Sequence, residues 1–185
     1  PGIKIDKEYS VYKEALEKDY FCKRADGPYM KGKVWPGECN FPDFTNPEVR
    51  EWWAGLHKEL IAEIGVKGVW NDMNEPAVME VPGKTFPMDV RHVYDGNPCS
   101  HRKAHNIYGT QMARATYEGV KKFAYPKRPF IITRSAYSGA QRYTSSWTGD
   151  NVASWEHLWI ANIQVQRMSI SGMGFTGSDI GGFAE

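Results

Sequence analysis

Apolar and polar positions change period along the chain, and the changes divide it into alternating helices and strands. Asn46-Pro47-Glu48 combines an N-cap residue, a first-turn proline and a first-turn acid. Val49, Trp52, Trp53, Leu56 and Leu60 follow at helical spacing, and Gly65 predicts the stop. The short apolar run "VKGVWND" then predicts a strand that gives out at Asp72. From about Ala77 to Ala104 the chain turns polar and is broken by Pro82, Gly83, Pro87, Gly96 and Pro98. This predicts a long loop without extended regular structure, among the more mobile segments. "HNIYGTQMARATYEGVKKF" predicts a helix, "RPFIITRS" a buried strand and "SSWTGD" a second short strand. "SWEHLWIANIQVQRMSI" predicts a long helix and "GMGFTGSD" a last strand. Strand and helix in alternation predict an α/β fold on a parallel sheet. No repeat, low-complexity tract or linker marks a boundary, so residues 1–185 read as part of one domain.

The predicted strands share a further regularity: each gives way to a polar group, Asp72, Arg134, Asp150 and Asp179 in turn. In a (β/α)₈ barrel such C-terminal ends converge on one mouth, where catalytic residues sit. In a doubly wound sheet they would line a crevice. No G-x-G-x-x-G or P-loop pattern follows any strand, which disfavours a nucleotide fold.

Composition adds little to this except by exclusion. A net charge of +1 gives no electrostatic case for nucleic acid or an anionic membrane surface. No run approaches the roughly 18 apolar residues of a membrane span. Cys22, Cys39 and Cys99 fit neither a zinc-ligand spacing nor a disulfide framework, and read as free thiols in a reducing compartment. His92, His101 and His105 cluster around the long loop without ligand spacing and read as loop or cap histidines, so no metal is expected. Aromatics, at 14%, exceed the needs of a small core and are a common lining of sugar clefts.

Hydrolysis of a glycosidic bond takes two carboxyl groups flanking the anomeric carbon. Asp72 and Asp150 end different strands, which lets groups distant in sequence face one substrate atom. Trp70 and Trp147 stand shortly before them. Either indole alone reads as core packing; ring and acid together suit a carbohydrate.

"WNDMNEP" resembles the nucleophile motif of glycoside hydrolase family 31, the α-glucosidase family. "KVWPG", "FPDFTNP", "WW", "HNIYG", "TRS", "RYTSSWTGDN", "SWE" and "DIGGF" follow in family order along the whole chain. The resemblance implies a (β/α)₈ barrel and retaining hydrolysis of terminal α-linked glucose, with no cofactor and a small carbohydrate as the partner. It implies that Asp72 is the nucleophile and Asp150 the acid/base. Ile3, Trp35, Trp70, Met73, Arg134, Trp147, Asp179 and Phe183 match positions that contact the first sugar. Glu75 is expected behind the site, holding the loop. Members acting on xylosides or sulfated sugars carry Phe-Gly-Glu after the nucleophile; this chain keeps Met73-Asn74-Glu75, as glucosidases do. Glucosyl transfer to a second sugar uses the same residues and stays open. A rival reading takes Asn-Glu-Pro as the acid/base motif of a β-glycosidase barrel, with Glu75 as the acid. That group needs a nucleophilic Glu at the seventh strand, where this chain has Asp179 and no Glu before Glu185.

A complete barrel takes about 250 residues. The resemblance implies that the chain runs from just after strand three to just past strand seven, without the first strand's substrate-binding Asp or the eighth strand's His. A second class of function follows from that, a non-catalytic fragment that binds sugar weakly or associates through exposed strand edges.

Overall fold

The computed structural model describes all 185 residues. The strands are β1 (Ile3–Lys4), β2 (Lys31–Val34), β3 (Gly37–Asn40), β4 (Val69–Asn71), β5 (Arg91–His92), β6 (Cys99–Ser100), β7 (Ile131–Thr133), β8 (Ser145–Trp147) and β9 (Thr176–Gly177). The helices are α1 (Ser10–Glu17), α2 (Pro47–Gly55), α3 (His101–Ala124) and α4 (Trp155–Ile170). β4, β7, β8 and β9 form one sheet in that order, parallel at every pairing. Register sets Val69 beside Ile131, Ile132 beside Ser145 and Ser146 beside Thr176. α3 crosses over between β4 and β7, and α4 between β8 and β9. No helix is long and apolar enough to cross a membrane.

A second unit, absent from the periodicity reading, precedes this sheet. β1, β3 and β2 pair antiparallel, Ile3 opposite Asn40 and Lys31 opposite Asn40 from the other side. The largest core cluster lies here, joining Phe21, Phe41, Phe44, Val49 and Trp52 to Tyr108 on α3. Phe44 meets Trp53 and Tyr108 edge-on, at 5.1 and 5.5 Å between ring centroids, the arrangement the ring quadrupoles favour. The strands are too short for an alternation to stand out.

α2 starts as its sequence requires: the Asn46 side chain accepts from the Glu48 N–H at 3.0 Å and Pro47 occupies the first turn. It does not run to Gly65 in one piece. Regular helix ends at Gly55, and a π turn follows over Glu59–Glu63, with the Ile64 N–H donating to Glu59 O. One extra residue in that turn rotates the face inward by a position, burying Ile61 and leaving Leu60 44% exposed.

The segment between β4 and α3 departs from the predicted structureless loop. It holds a 3₁₀ turn at Pro82–Lys84 and a short antiparallel pair, β5 with β6. Val78, Phe86 and Val90 carry it into the core. α3 begins at His101, earlier than the sequence pattern indicates, because the loop itself caps it. The His101 and Arg102 N–H groups donate to Val90 O at 2.7 Å and Met88 O at 3.0 Å, so two orphan donors of the first turn find acceptors.

Candidate active site

Asp72, Arg134, Asp150 and Asp179 all follow the C-terminal ends of parallel strands, β4, β7, β8 and β9 respectively, and all line one open cleft of about 700 Å³. Parallel pairing forces this: with every strand pointing the same way, the residues after the strands share one edge of the sheet. Trp35, Trp70, Met73, Trp147 and Phe183 line the same cleft. Trp70 and Trp147 stand 5.8 Å apart between centroids, tilted by 56°, and Trp35 is 82% exposed. These rings leave apolar faces open to solvent, a surface a sugar ring can cover.

Ile3 is placed elsewhere. It is buried in β1 and packs in the antiparallel core, outside the cleft lining. Phe130, Ile132, Ser145, Phe175 and Gly177 join the lining although nothing in the sequence reading singled them out. Strand alternation would have found these five, although Ser146, Thr176 and Ser178, of the opposite parity, also reach the lining. Counting back by twos from Arg134 gives Ile132 and Phe130, and from Asp179 gives Gly177 and Phe175. Asp150 breaks that parity relative to Trp147. The intervening Gly149 has φ +88, a left-handed turn that swings the next side chain back toward the cleft.

Arg134 organises the carboxylates. Its Nε donates to Glu75 Oε1 at 2.8 Å and its Nη2 to Glu75 Oε2 at 3.2 Å. Nη1 turns the other way, 3.2 Å from Asp72 Oδ1 and 3.4 Å from Asp150 Oδ2. Because one nitrogen reaches both, those two oxygens stand no more than about 7 Å apart, short of most of the spacing that inverting glycosidases use. The Asp150 contact is a hydrogen bond, whereas Asp72 Oδ1 is shielded from water and accepts no directed bond. Charge alone holds Arg134 to Asp72. The Glu75 hydrogen bonds first, and then the charges of Glu75, Asp72 and Asp150, outweigh burial and push the guanidinium further above its ordinary range. It remains a fixed cation. Glu75 itself does not line the cleft; it stands behind Arg134.

The histidines are neither loop nor cap residues. His92 and His101 are buried and form a chain: His92 Nδ1 to Asp43 Oδ1, His92 Nε2 to His101 Nδ1, and His101 Nε2 to His105 Nδ1, each at 2.9 Å. With all three imidazoles neutral, one set of tautomers satisfies the chain, each Nδ1–H donating toward Asp43. Burial, then the neighbouring His92 and His105, push the His101 imidazole down to about 3. Cys22, Asp43 and His92 bring one ligand atom each within 4.8 Å. The Asp43 carboxylate already accepts from the Thr45 N–H and hydroxyl, the Val93 N–H and His92. Burial and the Asp43 charge push the Cys22 thiol well above its usual range, so it keeps its proton. With the carboxylate saturated, His92 Nδ1 engaged by it and the Cys22 thiol donating to Pro42 O at 3.7 Å, the trio is hydrogen-bonded core.

Comparison with known proteins agrees along the whole chain. A profile for "Glycosyl hydrolases family 31 TIM-barrel domain" matches residues 1–185. The chain is 48% identical over 184 residues to Alpha-glucosidase 2 of Bacillus thermoamyloliquefaciens, covering 100% of this chain and 23% of that protein. It is 43% identical to Neutral alpha-glucosidase C of Homo sapiens, covering 99% of this chain and 20% of that protein. The crystal structure of a glucosidase II alpha subunit superposes with a TM-score of 0.92 at 38% identity, over 100% of this chain and 20% of the other. A family 31 alpha-glucosidase from Bacteroides thetaiotaomicron gives 0.81 at 45% identity, over 98% of this chain and 28% of the other. The chain spans between a fifth and a quarter of the curated relatives it matches. Its four parallel strands are an arc of a (β/α)₈ barrel.

Proposed function

Because the chain belongs to glycoside hydrolase family 31, we propose that residues 1–185 form part of a single catalytic barrel that hydrolyses terminal α-linked glucose with retention of configuration. One observation carries the reading: Asp72 and Asp150, from different strands, meet the same Arg134 nitrogen at the mouth of the sheet. In the first step an Asp72 oxygen bonds to the anomeric carbon as the glycosidic C–O bond breaks, and the Asp150 carboxyl gives its proton to the departing oxygen. In the second, the Asp150 carboxylate takes a proton from water as that water attacks the same carbon, releasing Asp72 and the sugar. Two inversions give net retention, and no cofactor enters either step.

Trp70 and Trp147 offer the sugar apolar faces, and Asp179 faces the same space as a hydroxyl acceptor. Ile3 has no direct part in this account. The β-glycosidase alternative loses ground on geometry, since both Glu75 oxygens are engaged by Arg134 and neither is directed at the cleft. Transfer of glucose to a second sugar uses the same two steps with a sugar hydroxyl in place of water.

The test is made on the full-length protein carrying this chain. Asp72→Ala should abolish turnover of an aryl α-glucoside, and added formate or azide should restore part of it through the vacated space, yielding a product of inverted configuration. Full activity in Asp72→Ala ends the proposal. Rescue with inverted product at Asp150 but not at Asp72 exchanges the two roles.

A further inference from the structure

Asn74 sits between Asp72 and Glu75 in sequence, yet its side chain is fully buried and turned away from the cleft lining. Its Nδ2 donates to Thr133 Oγ1 at 2.8 Å and to Gly109 O at 3.3 Å, and its Oδ1 accepts from the Ser135 N–H at 3.2 Å. The partners fix the orientation of the amide, because a backbone N–H can only donate and a carbonyl can only accept. Thr133 and Ser135 flank Arg134. The Thr133 hydroxyl, accepting from Asn74, donates onward to Ser135 O at 3.2 Å, and the Arg134 N–H donates to Asn71 O at 3.1 Å. Three successive residues at the end of β7, Thr133, Arg134 and Ser135, are thus tied to the segment that carries Asp72. α3 closes the node from behind: a Cβ on Gly109 would lie 2.6 Å from Asn74 O and 2.7 Å from Ser135 Oγ.

We propose that Asn74 is a positioning residue for the reaction, holding Arg134 through Thr133 and Ser135 so that Nη1 reaches Asp72 and Asp150 together. The inference rests on the hydrolase reading above. Charge alone does not supply this placement, and the Glu75 fork holds only the far end of the side chain. Coulomb attraction is not directional, the arginine stem is flexible, and Asp72 Oδ1 takes no directed bond from it. The backbone on either side of Arg134 has to be located independently, and the Asn74 amide does that. An amide is required because the node needs donors and an acceptor from one side chain. A carboxylate at this position would set acceptors against the Gly109 carbonyl.

The full-length protein is assayed for kcat and KM on an aryl α-glucoside. Asn74→Ala should lower kcat roughly 10–100-fold with KM changed less than about 3-fold, since displacement of a reacting constellation acts on kcat. In an Arg134→Ala background the same substitution should cost less than about 3-fold more, because both changes act through one cation. Losses that multiply in the double variant would show a merely structural role and overturn the proposal. A second pair of variants stays readable if Asn74→Ala does not fold. Thr133→Ser keeps the hydroxyl acceptor and should keep activity, and Thr133→Val should reproduce the Asn74→Ala loss; equal activity of the two overturns the proposal. No turnover by the unsubstituted protein would overturn the hydrolase reading and this one with it. Turnover with multiplying losses would overturn the role of Asn74 alone.

Discussion

Arg134 grips Glu75 through two parallel hydrogen bonds, at 2.8 and 3.2 Å, and this pairing decides which edge of the guanidinium is left to face the cleft. Bidentate pairing fixes the plane of the fork as well as its place. Glu75→Gln keeps the size of the side chain but leaves one oxygen to do the work of two. In the full-length protein, kcat/KM on an aryl α-glucoside should fall roughly 10–100-fold, the cost of misplacing a charged group near reacting atoms. Azide should give no recovery, because Glu75 vacates no space beside the anomeric carbon. Azide rescue at this position would instead mark Glu75 as a residue that touches substrate.

Asp150 is proposed to donate a proton, so its importance should track how much the leaving group needs one. For Asp150→Ala, hydrolysis of an alkyl α-glucoside should fall by about 10³-fold or more. The first step with a dinitrophenyl glucoside or a glucosyl fluoride should be far less affected, since those groups depart without protonation. Equal losses across the series would remove the acid role.

The buried histidine chain predicts a pH-dependent stability. His101 is held down to about 3 in the folded protein, against 6.5 for an unperturbed imidazole. Between those values the unfolded chain binds more protons than the folded one, so stability is full above the upper value and falls as pH drops toward the lower. The unfolding free energy from urea titrations between about pH 7 and about pH 4 should decline by an amount on the order of a few kcal/mol. Asp43, which hydrogen bonds from His92, Val93 and Thr45 hold below the usual carboxylate range against the pull of burial, adds loss of the same sign at the acid end. His101→Gln should flatten the upper part of the decline, and an unchanged slope would show that the chain is not its source.

Gly119 on α3 marks where two helices touch. A Cβ there would lie 2.5 Å from Ala54 O on α2, and backbone cannot yield as a side-chain tip does. Gly119→Ala should therefore destabilise by about 1–3 kcal/mol despite the better helix propensity of alanine. Gly55, the last residue of α2, has open space around it, so Gly55→Ala serves as the control and should be neutral or stabilising in thermal unfolding.

What was legible in the sequence was what repeats or is punctuated. Asn46-Pro47-Glu48 announces a helix start by chemistry confined to three residues, and the structure shows that cap bond. Asp72, Arg134, Asp150 and Asp179 were legible as strand ends because short apolar runs stop at them, and parallel pairing then placed them together. Signals that depend on contact were not legible. β1, β2 and β3 have at most four residues each and form through pairing across the chain. The early start of α3 depends on carbonyls of Met88 and Val90, which no local pattern around His101 reveals. The burial of His92 and His101 follows from Asp43 lying beside them, some fifty positions earlier in sequence for His92. Ile3 resembles a sugar-contacting position, but pairing with β3 takes it into the core.

The segment joining β4 to α3 has a consequence for how the chain can be cut or rearranged. Connections between barrel elements are ordinarily where nicks, insertions and new termini are tolerated, because little is buried there. Here Val78, Phe86 and Val90 belong to the main core, and the segment's carbonyls finish a helix. A circular permutant opened beside Val78, Phe86 or Val90 would leave a new terminus against the hydrophobic interior. The turn at Tyr94-Asp95-Gly96, where three successive residues have positive φ and the chain doubles back between β5 and β6, is tied down as well: the Asp95 N–H donates to Thr45 O at 3.0 Å and its carboxylate accepts from the buried Arg50 at 2.8 Å. A break that leaves the core closed belongs in the exposed stretches at Pro82–Lys84 or Asn97-Pro98.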